Sequence, residues 1–182
     1  MRTVVVYHSQ TGFTRRYAEW IADAAGGDCF TLQEARKRDL SGYDAIVYGG
    51  WACAGQISKI GWFEEQIPAW NGKRLAAFCV GASPADNPEG QVFLDKTVQD
   101  LAAANVQVFY CPGGLNYEAM SLRYRLMMKA FLAGLRAKKD RTPQEEVMAA
   151  MLGSSYDISD RRYIEPVLAF LSETQKDQEE DC

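Results

Sequence analysis

The chain contains one histidine, His8, in 182 residues. A histidine-based metal centre or a Ser–His–Asp triad therefore has almost nothing to draw on, and His8 reads most simply as a strand-end residue. The five cysteines (Cys29, Cys53, Cys79, Cys111 and Cys182) form no CxxC pair and no metal-ligand spacing. Free thiols in a reducing compartment are expected, with Cys79 and Cys111 acting as small hydrophobes in apolar runs. There is no GxGxxG and no GxxxxGK followed by Ser or Thr. Those absences remove the dinucleotide and nucleoside-triphosphate loops. No apolar stretch approaches the roughly 18 residues needed to cross a bilayer. The opening MRTVVVYHSQTG has too short an apolar run for a secretory signal and no small-residue cleavage site, so a cytoplasmic protein is expected.

What is present is enough for one folded domain. The chain is 47% hydrophobic, which excludes disorder as the main state. A single domain is expected over residues 1–174, with an acidic, disordered tail over 175–182. The formal charge of −4 is misleading as an average. Residues 172–182 hold five acids and one base, and residues 1–171 balance at 19 against 19. Within that neutral body, residues 119–141 carry seven bases and one acid. A basic block on a mildly acidic scaffold needs a reason.

Near-continuous apolar runs alternate with helical periodicity. Val4–Tyr7, Cys29–Leu32, Ala45–Tyr48, Leu75–Val80 and Val106–Tyr110 read as five buried strands. Thr14–Ala25, the Ile60, Phe63, Ile67 stripe closed by Pro68, Val92–Ala103 and Tyr163–Leu171 read as helices. Such alternation predicts an α/β fold: a three-layer, doubly wound, five-stranded parallel sheet with right-handed crossovers. Its ligand crevice lies at the strands' C-terminal ends, where segments 9–14, 49–59 and 81–90 all fall.

The sharpest motif is Ser9-Gln10-Thr11-Gly12-Phe13-Thr14, between the first strand and the first helix. A helix start offers unpaired N–H groups and partial positive charge, which suit an anion. Ser9, Thr11 and Thr14 add hydroxyls, and Gly12 lets the backbone come close. The competing reading is a Ser/Thr-rich turn that merely caps the helix.

This S-x-T-G-x-T after a first apolar strand resembles the phosphate loop of the flavodoxin family, which holds the terminal phosphate of FMN. The resemblance implies strand order 2-1-3-4-5 and a flavin ring between the second and third loops. Gly50, Trp51, Ala52, Cys53 and Gly55 of the second loop become candidate flavin contacts. Trp51 is either an aromatic wall for the ring or a helix-packing tryptophan; Cys53 touches the ring or simply fills the loop. Gly81, Ala82 and Ser83 are expected to offer amides to the pyrimidine end. No metal site is implied.

A long crossover, about 119–155, follows the fifth strand. Met120, Tyr124, Met127, Met128, Phe131 and Leu135 form one helical stripe, and Arg125, Lys129 and Arg136 another. Thr142-Pro143-Gln144-Glu145 reads as a capping box that opens a second helix through Met151. Gly113-x-Leu115-x-Tyr117, with Arg125-x-Met127-x-Lys129, resembles the long-insert flavodoxin-like branch that includes menaquinone-dependent protoporphyrinogen oxidases. That resemblance implies electron transfer from a porphyrinogen through FMN to a quinone. Arg125, Lys129 and Arg136 then become candidate contacts for substrate carboxylates or anionic lipid. The second loop departs from the pattern, reading Trp-Ala-Cys-Ala-Gly where basic and larger aromatic residues are typical.

Without the resemblance, the basic strip is a solvated face on a helix packed against the domain or a second subunit, or a peripheral membrane contact. Nucleic-acid binding has little support. Three functions follow: an FMN redox protein serving a partner protein, an FMN enzyme acting on a porphyrinogen or quinone, and a non-catalytic module. The neutral body argues against a dedicated carrier with an acidic docking rim. The intact hydroxyl loop argues against the module.

Overall fold

Three consecutive valines start the sheet. In β1 (Thr3–Tyr7), Val4 and Val6 point into one apolar layer and Val5 into the other, because side chains alternate along a strand. Each fully buried aliphatic side chain contributes about 1.5–3 kcal/mol. The computed structural model describes residues 1–53, 55–86, 101 and 104–173. On either side of β1 lie β2 (Asp28–Thr31) and β3 (Ala45–Cys53), both parallel to it. The short β4 (Gln56–Ile57) folds back antiparallel on the end of β3. Beyond β3 come β5 (Arg74–Gly81) and β6 (Val106–Pro112), again parallel. The order β2-β1-β3-β5-β6 is the expected 2-1-3-4-5 once only parallel strands are counted.

Helices cover both faces. On the Val5 face, α1 (Phe13–Ala25) buries Tyr17, Ala18, Ile21 and Ala22. Gly26, at φ 61°, ends it in the left-handed conformation that glycine tolerates. A short α2 (Leu32–Ala35), absent from the periodicity reading, is started by a Thr31–Glu34 capping box. On the Val4 face, α3 (Ile60–Gln66) continues into a 3-10 turn, Ile67–Trp70, that contains Pro68. The expected helix at Val92–Ala103 lies outside the described residues except for Leu101, which is buried on this face. The expected tail over 175–182 lies outside them as well.

The crossover holds α4 (Leu122–Ala137) and α5 (Pro143–Met151), the latter capped by the Thr142–Glu145 box as expected. A two-stranded ribbon that sequence reading missed closes its base: β7 (Gly114–Leu115) pairs antiparallel with β8 (Tyr156–Asp157). Gly114 has φ 146°, and a Cβ there would run into the Tyr156 carbonyl oxygen. A 3-10 turn, Arg161–Ile164, then leads into α6 (Glu165–Ser172). The single helix expected over Tyr163–Leu171 is divided there. Pro166, lacking an N–H, sits where a first helical turn needs none.

Two further expectations are corrected. The third strand does not end at Gly49-Gly50; it runs to Cys53, because β4 pairs Ala52 with Ile57 and Cys53 with Gln56. The Met120–Leu135 stripe, expected to pack on the domain or on a second subunit, packs on the domain only in part, through Met120 and Met128. Leu132 is the buried residue of α4 and packs with Leu115 and Leu152, while Met127 and Phe131 are 51% and 52% exposed. Helical period locates a stripe but not the neighbour that covers it.

Candidate functional site

The phosphate-loop motif lies where β1 gives way to α1. Gly12 is the N-cap residue of α1, at φ 99°, and no side chain caps the helix. The Ser9 hydroxyl accepts the Gly12 N–H at 3.3 Å, which shapes the turn. The two cations of the first helical turns are engaged elsewhere. Arg15 pairs with Glu19 at 2.7 Å and Arg16 with Asp157 at 2.5 Å. What faces the crevice is neutral: hydroxyls and backbone amides at a helix start.

A cavity of about 230 Å³ opens from this turn. Its polar end is Gln10, Thr11 and Thr14. Thr14 lines the cavity and is only 2% exposed. Trp51, Ala52 and Cys53 line a second side, and Val80, Gly81 and Ala82 the far rim. The crossover supplies the remainder through Met120, Tyr124, Met127 and Met128. The sequence motifs thus converge on one cavity, as the doubly wound topology requires.

The hairpin end of β3 fixes Trp51. The Ser58 hydroxyl accepts the Trp51 N–H at 3.1 Å, and the Ser58 N–H donates back to the Trp51 carbonyl at 2.9 Å. The Tyr48 hydroxyl holds the Ser58 carbonyl at 2.8 Å. The Trp51 ring lies 4.4 Å from that of His8 and meets Tyr124 edge-on at 6.3 Å. His8 Nδ1 is 3.3 Å from the same Ser58 hydroxyl. Burial lowers the His8 pKa, and Lys59 and Arg36 push it further the same way, so the charged form is disfavoured.

Other candidates have different places. Gly50 faces Ile57 and Ser58 inside the β3–β4 hairpin, where a Cβ would stand 2.6 Å from the Ile57 side chain. Gly55, at φ 82°, forms the hairpin turn. Ser83 borders a neighbouring cavity and accepts the Tyr110 hydroxyl on its carbonyl at 2.7 Å. Phe13 lines the site and packs against the core below it. Arg125, Lys129 and Arg136 line a separate groove on α4. His8, Ser58, Tyr124 and Met128 were not read as site residues from the sequence. The Met/Tyr spacing on α4 was visible, but nothing in it showed that this face meets the strand ends.

A family model described as a flavodoxin domain matches residues 4–142. The chain belongs to the flavodoxin domain family. No curated protein matches it. Among solved structures, a flavodoxin from the domain Archaea is 18% identical, with 64% of this chain and 86% of that one covered and a TM-score of 0.45. Flavodoxin 1 from Bacillus cereus is 16% identical, with 71% and 95% covered and a TM-score of 0.45. The Trp repressor binding protein of Bacillus subtilis is 14% identical, with 64% and 85% covered and a TM-score of 0.43.

Membership of the flavodoxin family implies a flavin cofactor. The residues fit one. The cavity joins a neutral donor end, suited to a phosphate ester, to an aromatic and thioether wall suited to a fused ring. Among the described residues, no three His, Cys, Asp or Glu side chains gather as a metal site would require. No helix among them is long and apolar enough to cross a membrane.

Proposed function

We propose that this protein is an FMN-dependent redox protein that passes electrons through its flavin. The observation that carries the reading is the single cavity in which Thr11 and Thr14, at the mouth of α1, face the same space as Trp51 and Tyr124. When bound, FMN supplies one- and two-electron transfer at its isoalloxazine ring.

The chain's own residues bind and orient. The Thr11 and Thr14 hydroxyls and the first amides of α1 would hold the phosphate, using the helix dipole rather than a cation. Trp51 would stack against the ring, a contact that adds about 0.5–1.5 kcal/mol beyond its buried area. The backbone at Gly81 and Ala82 would face the ring's polar edge. Met120, Tyr124, Met127 and Met128 would keep water from the other side.

That last wall favours a second reading, an FMN enzyme with its own small substrate. A carrier serving a large redox protein gains nothing from a helix that walls its flavin cavity, whereas a substrate pocket does. A porphyrinogen as electron donor and a quinone as acceptor are the candidates.

The first test is colour. Recombinant protein is expected to be yellow and to release FMN on denaturation; colourless protein that takes up no added FMN overturns both readings. Anaerobic turnover with protoporphyrinogen and a menaquinone analogue then separates them. Porphyrin formation no faster than with free FMN removes the oxidase reading.

A further inference from the structure

We propose that a groove on the crossover, separate from the flavin cavity, binds a small anionic molecule with an apolar body, through phosphate or carboxylate groups. The groove measures about 620 Å³. Arg125, Lys129 and Arg136 form its cationic side, and Leu132 and Ala133 lie between them. All five fall on one stripe of α4, since successive residues turn by about 100°. Tyr117 and Gly153 face them from across the groove.

The facing wall is fixed in place. The Tyr117 hydroxyl donates to the Leu152 carbonyl at 2.6 Å, and the Tyr117 N–H to the Ser155 hydroxyl at 3.0 Å. Gly153 leaves space for Arg136: a Cβ there would stand 3.0 Å from the guanidinium nitrogen Nη2. Arg125 is anchored through Nη2, which donates to the Glu118 and Met120 carbonyls at 3.2 and 3.4 Å. Leu132 is buried and forms the floor.

Like charges one helical turn apart, as in Arg125 and Lys129, weaken a helix. Among the described residues, no carboxylate lies within ion-pairing distance of Arg125, Lys129 or Arg136. Elsewhere on the crossover Lys138 is neutralised by Glu145 at 2.7 Å. Three cations beside an apolar floor, with one exposed acid (Glu118) at the rim, form a surface that an anionic amphiphile completes.

The facing wall favours a free molecule over a bilayer: Tyr117 and Gly153 stand across from the cations and make the surface a groove. Of the exposed apolar residues of α4, Met127 and Phe131 lie roughly 140–180° around the axis from the centre of the cationic row, while Leu122 and Leu126 lie about 40–80° from it, at about 100° per residue. A membrane seated on Met127 and Phe131 would leave the groove's cations facing away from it.

The test uses the full flavin-loaded chain and amide NMR, with inorganic pyrophosphate and succinate as separate probes. Saturable shifts are expected at Tyr117, Lys129 and Gly153. They should weaken at least tenfold in K129Q/R136Q, persist in K129R, and lose strength as salt rises. Unchanged shifts elsewhere in the double variant, and unchanged flavin affinity, show that it is folded and keep this outcome distinct from the flavin reading. Sedimentation with phosphatidylglycerol vesicles forms the second arm. Free anions that bind the groove and compete with the vesicles support the proposal. Absence of saturable shifts, shifts confined to Thr11 and Thr14, shifts that survive K129Q/R136Q, or binding to vesicles alone each overturn it.

Discussion

The imidazole of His8 and the indole of Trp51 stack with their centroids 4.4 Å apart and their planes tilted by 31°. Forty-three residues apart in sequence, they share the Ser58 hydroxyl as an anchor. The folded state disfavours the protonated form of His8, chiefly by burying it. The unfolded chain, with an ordinary histidine pKa of about 6.5, takes up a proton first as pH falls. Stability from this group should therefore be constant above about pH 6.5 and decline below it, until the folded ring is protonated. Urea midpoints from pH 8 to pH 5 measure this; H8N should flatten that part of the profile, and an unchanged slope would count against the assignment.

Thr11 and Thr14 carry the phosphate assignment. Each Thr→Ala change should remove a hydrogen bond to a charged group, about 1.5–3 kcal/mol. FMN affinity should then fall roughly 10- to 150-fold per site, read by flavin fluorescence quenching. T14S, which keeps the hydroxyl, should remain close to the parent. Full affinity in the double Ala variant would show that the phosphate sits elsewhere.

Gly49 and Phe78 are matched across β3 and β5. A Cβ at Gly49 would stand 2.5 Å from one ring carbon of Phe78 and 2.7 Å from another. G49A should cost about 1–3 kcal/mol through overpacking. Combining it with F78L should recover part of that loss, since residues in contact are not additive. Strictly additive urea midpoints would contradict the contact.

Tyr17 links three segments. Its hydroxyl donates to the Pro112 carbonyl at 2.6 Å and accepts the Asp160 N–H at 3.1 Å. Y17F leaves the buried Pro112 carbonyl without its donor, at about 1–3 kcal/mol, and the more exposed Asp160 N–H without its acceptor at a smaller cost. A lower urea midpoint with an unchanged slope is the expected result.

Leu132 should hold the crossover rather than the sheet. L132A empties the centre of a small core formed with Leu115 and Leu152. Amide protection should drop along α4 and α5 while β1, β3 and β5 keep theirs. Equal loss across the sheet would show that the crossover folds as one unit with it.

The sheet was legible because each strand is buried on both faces and so reads as a continuous apolar run, as in Val4–Tyr7 and Leu75–Val80. The Ser9–Thr14 turn was legible because its features are local: hydroxyls, a glycine and a helix start within six residues. The Thr142–Glu145 box was read for the same reason. The extension of β3 through Trp51 was not, because a run that breaks at Gly49-Gly50 gives no sign of a returning β4 partner. Nor was the division of the Met/Phe stripe on α4, which depends on what packs against it.

The amino-acid order alone thus determined the layered α/β fold, the anion-suited turn at Ser9–Thr14 and the existence of a basic helical crossover. Each rests on residues close together in the chain, where periodicity, capping and turn chemistry act directly. Only the tertiary structure decided that His8 backs Trp51, that Tyr124 meets the same indole, and that Gln10 donates to the Ser121 hydroxyl at 3.2 Å, joining the loop to the start of α4. Those pairs are brought together by the closing of the sheet and the docking of the crossover. Their energy belongs to contacts between distant segments, and no local pattern encodes it.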